Sequence, residues 1–243
     1  MQQDKIKEYL QKIEQGTLSK EEATAIVKQL KREQHKPTFK KLDFTAATKQ
    51  MKDRGFNPYP PIPHIQVPHA KEALQDGLQY YLGTDYQWLP AYDKVAEWLT
   101  DNHQRGLLCV GDCGLGKTVL CCKVLPVILH HYCHKVLSVY DATTIGDHLQ
   151  QAKTDPLIVI DDLGTEPIES IHYGERHIAF SEITDEAEKR GHLLILTTNL
   201  ATSTPRGKGT DYPSLENRYG IRTLDRLRAI TTVVVFKGKS MRG

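Results

Sequence analysis

The sequence has no cysteine before residue 109, and its five cysteines stand at 109, 113, 121, 122 and 133. An odd number crowded into 25 positions makes no disulfide framework, and it points to a reducing cytosol. No C-x-x-C pair occurs. His130, His131, Cys133 and His134 cluster at the end of one helix-like stretch, where an i,i+4 histidine pair can hold zinc; a half-buried helix end is the other reading. No apolar run approaches the roughly 20 residues that cross a bilayer. The start, Met1-Gln2-Gln3-Asp4, lacks the basic-then-apolar shape of a signal peptide, so a cytoplasmic chain without membrane contact is expected.

Charge of one sign is also missing from the total, which is only +2 over 243 residues, and the total names no partner. Its distribution is uneven. Residues 1–70 hold 13 Lys/Arg against 8 Asp/Glu, residues 71–200 hold 10 against 19, and residues 201–243 hold 9 against 3. Two basic ends flank an acidic middle, a pattern compatible with nucleic-acid contact at the ends.

What is present centres on Gly111-Asp112-Cys113-Gly114-Leu115-Gly116-Lys117-Thr118, which reads G-x-x-x-x-G-K-T. A buried-strand run, Leu107-Leu108-Cys109-Val110, precedes it, and residues 119–132 follow with apolar residues at helical spacing. The glycines let backbone N–H groups curl around a phosphate, and the helix N-terminus adds a favourable dipole. Lys117 is expected to reach the β- and γ-phosphates of ATP, and the Thr118 hydroxyl to ligate Mg²⁺.

Upstream, Ile6, Tyr9, Leu10 and Ile13 share a helical face that Gly16 stops. Ser19 and Glu22 have capping-box spacing ahead of Ile26, Val27 and Leu30, and residues 44–54 make a further short helix. The basic run Lys31, Arg32, Lys36, Lys40 and Lys41 is a solvated helix end or a contact for nucleic acid or a partner. Five prolines between 58 and 68 make an extended connector. The domains are therefore read as 1–56, a helical N-terminal partner-binding region; 57–70, a proline-rich linker; and 71–243, an α/β domain.

In that domain Leu89, Tyr92, Val95, Ala96 and Leu99 line one helix. Tyr86 and Trp88 lie just upstream, where they sandwich a purine or merely pack the domain edge. Residues 136–139 form a strand and 143–153 a modest helix. Leu157-Ile158-Val159-Ile160-Asp161-Asp162 is a buried strand ending in two carboxylates. The carboxyl ends of parallel strands line the ligand crevice, so Asp161 is assigned to Mg²⁺ and Asp162 to the attacking water. Residues 173–190 read as a long helix stopped by Gly191. A fourth strand, 193–196, follows and ends in Thr197-Thr198-Asn199, where a polar side chain can bond the water or the γ-phosphate. The loop 205–209 is basic and is either plain linker or a contact. One helix, 215–229, is expected to carry Arg218, Arg222, Arg226 and Arg228, candidates for a cation pushed toward a γ-phosphate. Residues 231–236 form the last strand, with seven residues after it and no room for a helical lid domain.

This order resembles the AAA+ ATPase core. Three stretches are similar to the DnaC/IstB-type group, which comprises replicative helicase loaders and transposition helper ATPases. They are Ile160-Asp161-Asp162-Leu163-Gly164, Thr197-Thr198-Asn199-Leu200, and 218–227, Arg-Tyr-Gly-Ile-Arg-Thr-Leu-Asp-Arg-Leu. The resemblance implies a five-stranded parallel sheet without a C-terminal lid. It implies Gly111, Gly114, Gly116, Lys117 and Thr118 on the nucleotide, with Asp112, Cys113 and Leu115 in the same loop. It further implies Asp161 at Mg²⁺, Asp162 on the water, Asn199 as a sensor, and Arg222 or Arg226 acting in trans between self-associated copies. The implied activity is assembly-dependent ATP hydrolysis with single-stranded DNA contact, residues 1–56 gripping a DnaB-like replicative helicase. The alternatives are a transposition helper that binds DNA and a transposase, and a P-loop kinase acting on a small molecule. Two departures stand out. The second acid is Asp162 where the wider superfamily has Glu, and residues 1–70 contain no cysteine, which excludes a zinc-binding N-terminal domain.

Overall fold

Three strands are buried on both faces: β1 (Gly106–Gly111), β3 (Leu157–Leu163) and β6 (Leu193–Thr198). Strands covered by helices on both sides need side chains apolar throughout, which is why these segments read as continuous hydrophobic runs rather than alternating ones. In the computed structural model they form the centre of a five-stranded parallel sheet in the order β2-β3-β6-β1-β7. The edges are β2 (Ser138–Asp141) and β7 (Thr231–Phe236), in which buried residues are interspersed with partly and fully exposed ones. The structure describes residues 11–16, 19, 21, 22, 24–26, 28, 42–56, 60–167, 170–172, 175–209 and 211–241.

The chain divides into two units, Met1–Phe56 and Asn57–Gly243. In the first, residues 11–14 are helical and turn at Gly16, while Ile6, Tyr9 and Leu10 lie outside the described residues. The capping box is formed: the Ser19 N–H donates to Glu22 Oε2 at 3.0 Å, and the Glu22 N–H donates to Ser19 Oγ at 3.3 Å. The Ser19 N–H bond, with the Ser19 hydroxyl donating to the same Oε2 at 2.9 Å, holds the Glu22 carboxyl below the usual range. Of the stripe behind it, Ile26 is described, whereas Val27, Leu30 and the basic run 31–41 lie outside the described residues. Helix α1 (Phe44–Asp53) is capped by Asp43, whose carboxylate accepts from the Thr45 and Ala46 N–H groups at 3.0 and 3.1 Å.

In the second unit the proline-rich segment is not a free tether. Ile62, Ile65 and Val67 are buried in the core. Asn102, 1% exposed, accepts the Ile65 N–H at 2.9 Å and donates to the Pro63 carbonyl at 3.0 Å, while the Val67 N–H reaches the Leu99 carbonyl at 2.9 Å. Prolines remove donors but leave carbonyls, and Asn102 satisfies what remains. Helices α2 (Ala70–Leu82) and α3 (Pro90–Thr100) follow.

After β1, helix α4 runs through Lys117–Val119, a π-helical turn at Leu120–Val124, and Leu125–Cys133. Pro126 carries no N–H for the preceding turn, and the helix widens just before it. The strand expected at 136–139 begins later, at Ser138, because residues 134–137 complete the exit from α4; Val136 is exposed. The helix expected at 143–153 is instead a 3₁₀ turn, Ala142–Thr144, and helix α5 (Leu149–Thr154), with Gly146 between them. The expectation of a helix from 173 is corrected as well. Residues Ser170–His172 (β4) and Glu175–His177 (β5) pair as an antiparallel ribbon, which engages their backbone groups, and helix α6 starts at Ala179 and ends at Arg190.

The single helix expected over 215–229 is two: α7 (Leu215–Tyr219) and α8 (Ile221–Ile230). Gly220 separates them with φ 82° and ψ 159°, a conformation open to glycine and outside any helix. The even i, i+4, i+8 spacing of Arg218, Arg222 and Arg226 therefore does not make one face.

Asn102→Ala removes the acceptor and donor that fasten residues 63–65 while leaving their backbone groups buried. The expected loss is about 2 kcal/mol of unfolding free energy, measured by urea denaturation of the full chain.

Candidate functional site

The register of the central strands decides which loops meet. Val110 of β1 stands opposite Thr198 of β6, so the turn after Gly111 lies level with Asn199. On the other side of β6, Ile160 of β3 faces Leu196 but Leu163 faces Thr198. Three steps along β3 thus match two along β6, a bulge that falls on Asp161 and Asp162. Asp162 takes φ 51°, a left-handed conformation uncommon for a non-glycine residue. In an unbroken strand the two carboxylates would point to opposite faces; the bulge re-aims the second one.

The result is an open cleft of about 660 Å³, solvent-open space included, at the carboxyl ends of the strands. Cys113, Gly114, Leu115, Gly116, Lys117, Thr118, Asp162 and Asn199 line it, joined by Leu82, Val119 and Met241. Lys117 is 5% exposed. Its ammonium donates to the Gly111 carbonyl at 2.7 Å, to the Asp112 carbonyl at 2.8 Å and to Asn199 Oδ1 at 2.9 Å. Burial lowers the Lys117 pKa, opposed by the nearby Cys113 and Asp162. Asp161 sits beside the cleft, against α4 and β6: the Thr197 hydroxyl donates to Asp161 Oδ1 at 2.5 Å and accepts the Asp162 N–H at 2.8 Å. One threonine therefore touches both acids.

The loop is braced from behind. The Tyr92 hydroxyl donates to the Leu115 carbonyl at 3.2 Å. A Cβ on Gly116, which has φ 74°, would lie 2.5 Å from that hydroxyl and 2.9 Å from Met241 Cε, so glycine is required there by space as well as by φ. Residues 237–241 run back across the loop, and the Met241 N–H donates to the Gly114 carbonyl at 2.8 Å. Beneath it, Cys109 and Cys121 are fully buried with their sulfurs 3.6 Å apart. Burial, reinforced by Asp161, pushes the Cys122 thiol up to about 12. Cys113 is exposed at the loop's tip.

Other sequence candidates lie apart from the cleft. Trp88 packs on Tyr92 at 5.5 Å between ring centroids and donates its indole N–H to Asp93 at 3.1 Å; neither it nor Tyr86 lines the cleft, whose apolar end is Leu82, Val119 and Met241. Arg226 pairs with Asp185 at 2.7 Å and Glu188 at 3.1 Å on α6. Arg218 turns inward to Glu166 and Tyr219, Arg228 donates to Ser203 Oγ at 2.5 Å, and Arg222 is exposed. His131 lies edge-on to Tyr132, and His134 ends α4 in a left-handed conformation. Sequence reasoning missed Leu82, Thr197, Glu166 and Met241. Only Thr197 carried a signal, as the first residue of Thr-Thr-Asn; Glu166 follows Asp162 by four residues but belongs to no motif, and Leu82 and Met241 come from distant parts of the chain.

A five-stranded parallel sheet in this order, with G-x-x-x-x-G-K-T leaving β1, Thr-Thr-Asn leaving the adjacent β6 and the acid pair at the end of β3 beyond it, defines an α/β fold built around a phosphate-binding-loop motif. No protein-family model matches the sequence, and no curated protein does. Among solved structures it is similar in fold to DnaI (16% identity, 73% of this chain and 97% of that one, TM-score 0.49). It is likewise similar to the DnaC helicase loader (20% identity, 64% and 96%, TM-score 0.47) and to AMPPCP-bound DnaA from Aquifex aeolicus (16% identity, 63% and 47%, TM-score 0.41). Among the described residues no helix is long and apolar enough to cross a membrane.

The thiols offer a direct check on the site's geometry. Maleimide at neutral pH is expected to label the exposed Cys113 well before Cys122, and Cys109 and Cys121 only after denaturation, as read by peptide mass spectrometry.

Proposed function

We propose that this chain is an ATPase of DNA replication initiation that loads or remodels a replicative, DnaB-like helicase. The observation that carries the ATPase reading is the convergence of Lys117, Asn199 and Asp162 at one cleft mouth. Lys117 is held by two loop carbonyls and Asn199 Oδ1, oxygen acceptors that phosphate oxygens would replace. The glycine-rich loop and the start of α4 supply N–H groups to the β-phosphate. The donor set fits Mg²⁺, because the Thr118 hydroxyl and the Asp161 carboxylate are hard oxygen ligands. When bound, that ion neutralises charge spread over the β- and γ-phosphates. Asp162, on the cleft wall, orients and deprotonates the attacking water, and Asn199 bonds the γ-phosphate or that water.

Of the two finger candidates, Arg222 fits the role better. Arg226 is already neutralised by Asp185 and Glu188 of its own chain, while Arg222 is exposed beside exposed Ile221, free of any ion pair among the described residues. A second copy presenting Arg222 to the cleft would complete the site. The helicase reading rests on the motif resemblance and on the first unit, where α1 and its flank expose Phe44, Met51 and Phe56, an apolar surface suited to a protein partner. Single-stranded DNA is the second proposed partner, through the basic ends of the chain.

Lys117→Ala is expected to weaken ATP binding by on the order of 100-fold. Asp162→Asn should keep ATP affinity and lower turnover by roughly 10²–10⁴-fold, followed by calorimetry and phosphate release. Arg222→Ala should bind ATP normally and lose about 10³-fold in turnover in the assembled state. Mixing it with Lys117→Ala subunits should restore activity, because each mutant supplies what the other lacks; no rescue sinks the in-trans role. ATP turnover unaffected by single-stranded DNA and a DnaB-like helicase, with strong duplex binding, would overturn the loader reading in favour of a transposition helper.

A further inference from the structure

The strained bend at Asp162 is pinned at four of the backbone polar groups that make it and lead out of it. The Asp162 N–H is taken by Thr197 Oγ1 at 2.8 Å, and its carbonyl accepts from the Thr165 N–H at 3.2 Å and the Thr165 hydroxyl at 2.9 Å. The Leu163 carbonyl accepts from the Thr198 hydroxyl at 2.6 Å, and the Gly164 N–H donates to Glu166 Oε2 at 2.8 Å. A residue held in this region is strained and persists only where its surroundings over-determine it. Four of these five bonds come from Thr197, Thr198 and Thr165, on the adjacent strand or within the turn itself. The fifth is different in kind. Glu166 is 6% exposed, and its other oxygen is bonded by the Tyr219 hydroxyl, while Arg218 bonds its carbonyl and brings Nε to 3.9 Å from its carboxylate. A buried carboxylate needs such partners, and here those beyond the Gly164 N–H come from α7. The two α7 residues are the last before Gly220, the break from which α8 and Arg222 depart.

We infer that Glu166 is a positioning residue for Asp162, holding the bend that aims Asp162 into the cleft and tying that bend to the α7–α8 pair that carries Arg222. The inference rests on the ATPase reading for its catalytic consequence, but the mechanical part stands on the hydrogen bonds alone. Movement of α7 withdraws Tyr219 and Arg218 from Glu166, which loosens the Gly164 N–H and lets Asp162 relax away from the water it would activate. Correct hydrolytic geometry at one site thereby depends on how the same chain's Arg222 helix is seated against a neighbour.

The test compares full-length Glu166→Ala, Glu166→Gln and Tyr219→Phe with the parent in two readouts. In hydrogen–deuterium exchange on nucleotide-free protein, Glu166→Ala should speed exchange of the 163–166 segment about tenfold, with the β1 segment 106–111 unchanged. In ATP turnover it should lower kcat by on the order of 100-fold at unchanged ATP affinity. Glu166→Gln, whose amide oxygen still accepts the Gly164 N–H, should retain most activity. Tyr219→Phe, which keeps the ring and its packing, should fall between and carries the same two readouts if Glu166→Ala does not fold. In an Asp162→Asn background, Glu166→Ala should add no further loss, since it acts through that carboxylate. Parental exchange at 163–166, or a loss of turnover that adds in full to that of Asp162→Asn, overturns the inference. Faster exchange there in a chain that binds ATP without hydrolysing it upholds the hold on the bend and overturns the ATPase reading instead.

Discussion

The site depends on a mismatch of one residue between two parallel strands. β3 and β6 pair regularly up to Ile160 and Leu196, then resume at Leu163 and Thr198, with the extra residue in the acid pair. Regular pairing would send Asp161 and Asp162 to opposite faces of the sheet. With the bulge, Asp162 lines the cleft while Asp161 rests against the Thr197 hydroxyl. The strain of φ 51° at Asp162 is sustained because β6, on the other side of the mismatch, offers two hydroxyls at the right height. β6 is thus both a core strand and the template that shapes its neighbour's end.

The same strand connects the acids to the phosphate loop. Asn199 emerges from β6 level with the end of β1 and meets Lys117 there. A buried ammonium is expensive unless hydrogen-bonded, and in this conformation two loop carbonyls and one side-chain oxygen supply what solvent no longer does. Lys117 consequently holds the loop closed on itself, with Tyr92 behind it and residues 237–241 across its outer surface. On the proposed reading, phosphate binding is an exchange of acceptors around a lysine already in place.

The break at Gly220 sorts four arginines into different work. Arg218 joins the buried Glu166 group, Arg226 fastens α8 to the acidic face of α6, and Arg228 reaches Ser203. Arg222 remains at the exposed start of α8. Had 215–229 been one helix, Arg218, Arg222 and Arg226 would have shared a face and competed for one environment. The kink lets α7 brace the end of β3 while α8 packs on α6.

Local chemistry alone made several features legible in the chain. The phosphate loop, the three buried strands and the capping box at Ser19 and Glu22 follow from residue type and period, because a run buried on both faces must be apolar throughout and a tight anion loop must be glycine-rich; the five-stranded parallel sheet was legible only through the resemblance of the motifs. Tertiary structure alone decided the rest. Residues 57–70 read as an extended linker, yet Ile62, Ile65 and Val67 within them are core, with Asn102, some forty residues away, holding the Ile65 N–H and the Pro63 carbonyl. Glu166, Leu82 and Met241 reach the site or its support from positions with no pattern between them, and the bulge at Asp162 arises from the register against β6. Sequence carries preferences of neighbouring residues; strand register and the partners of buried polar groups are set between segments far apart, so they exist only once the chain has folded.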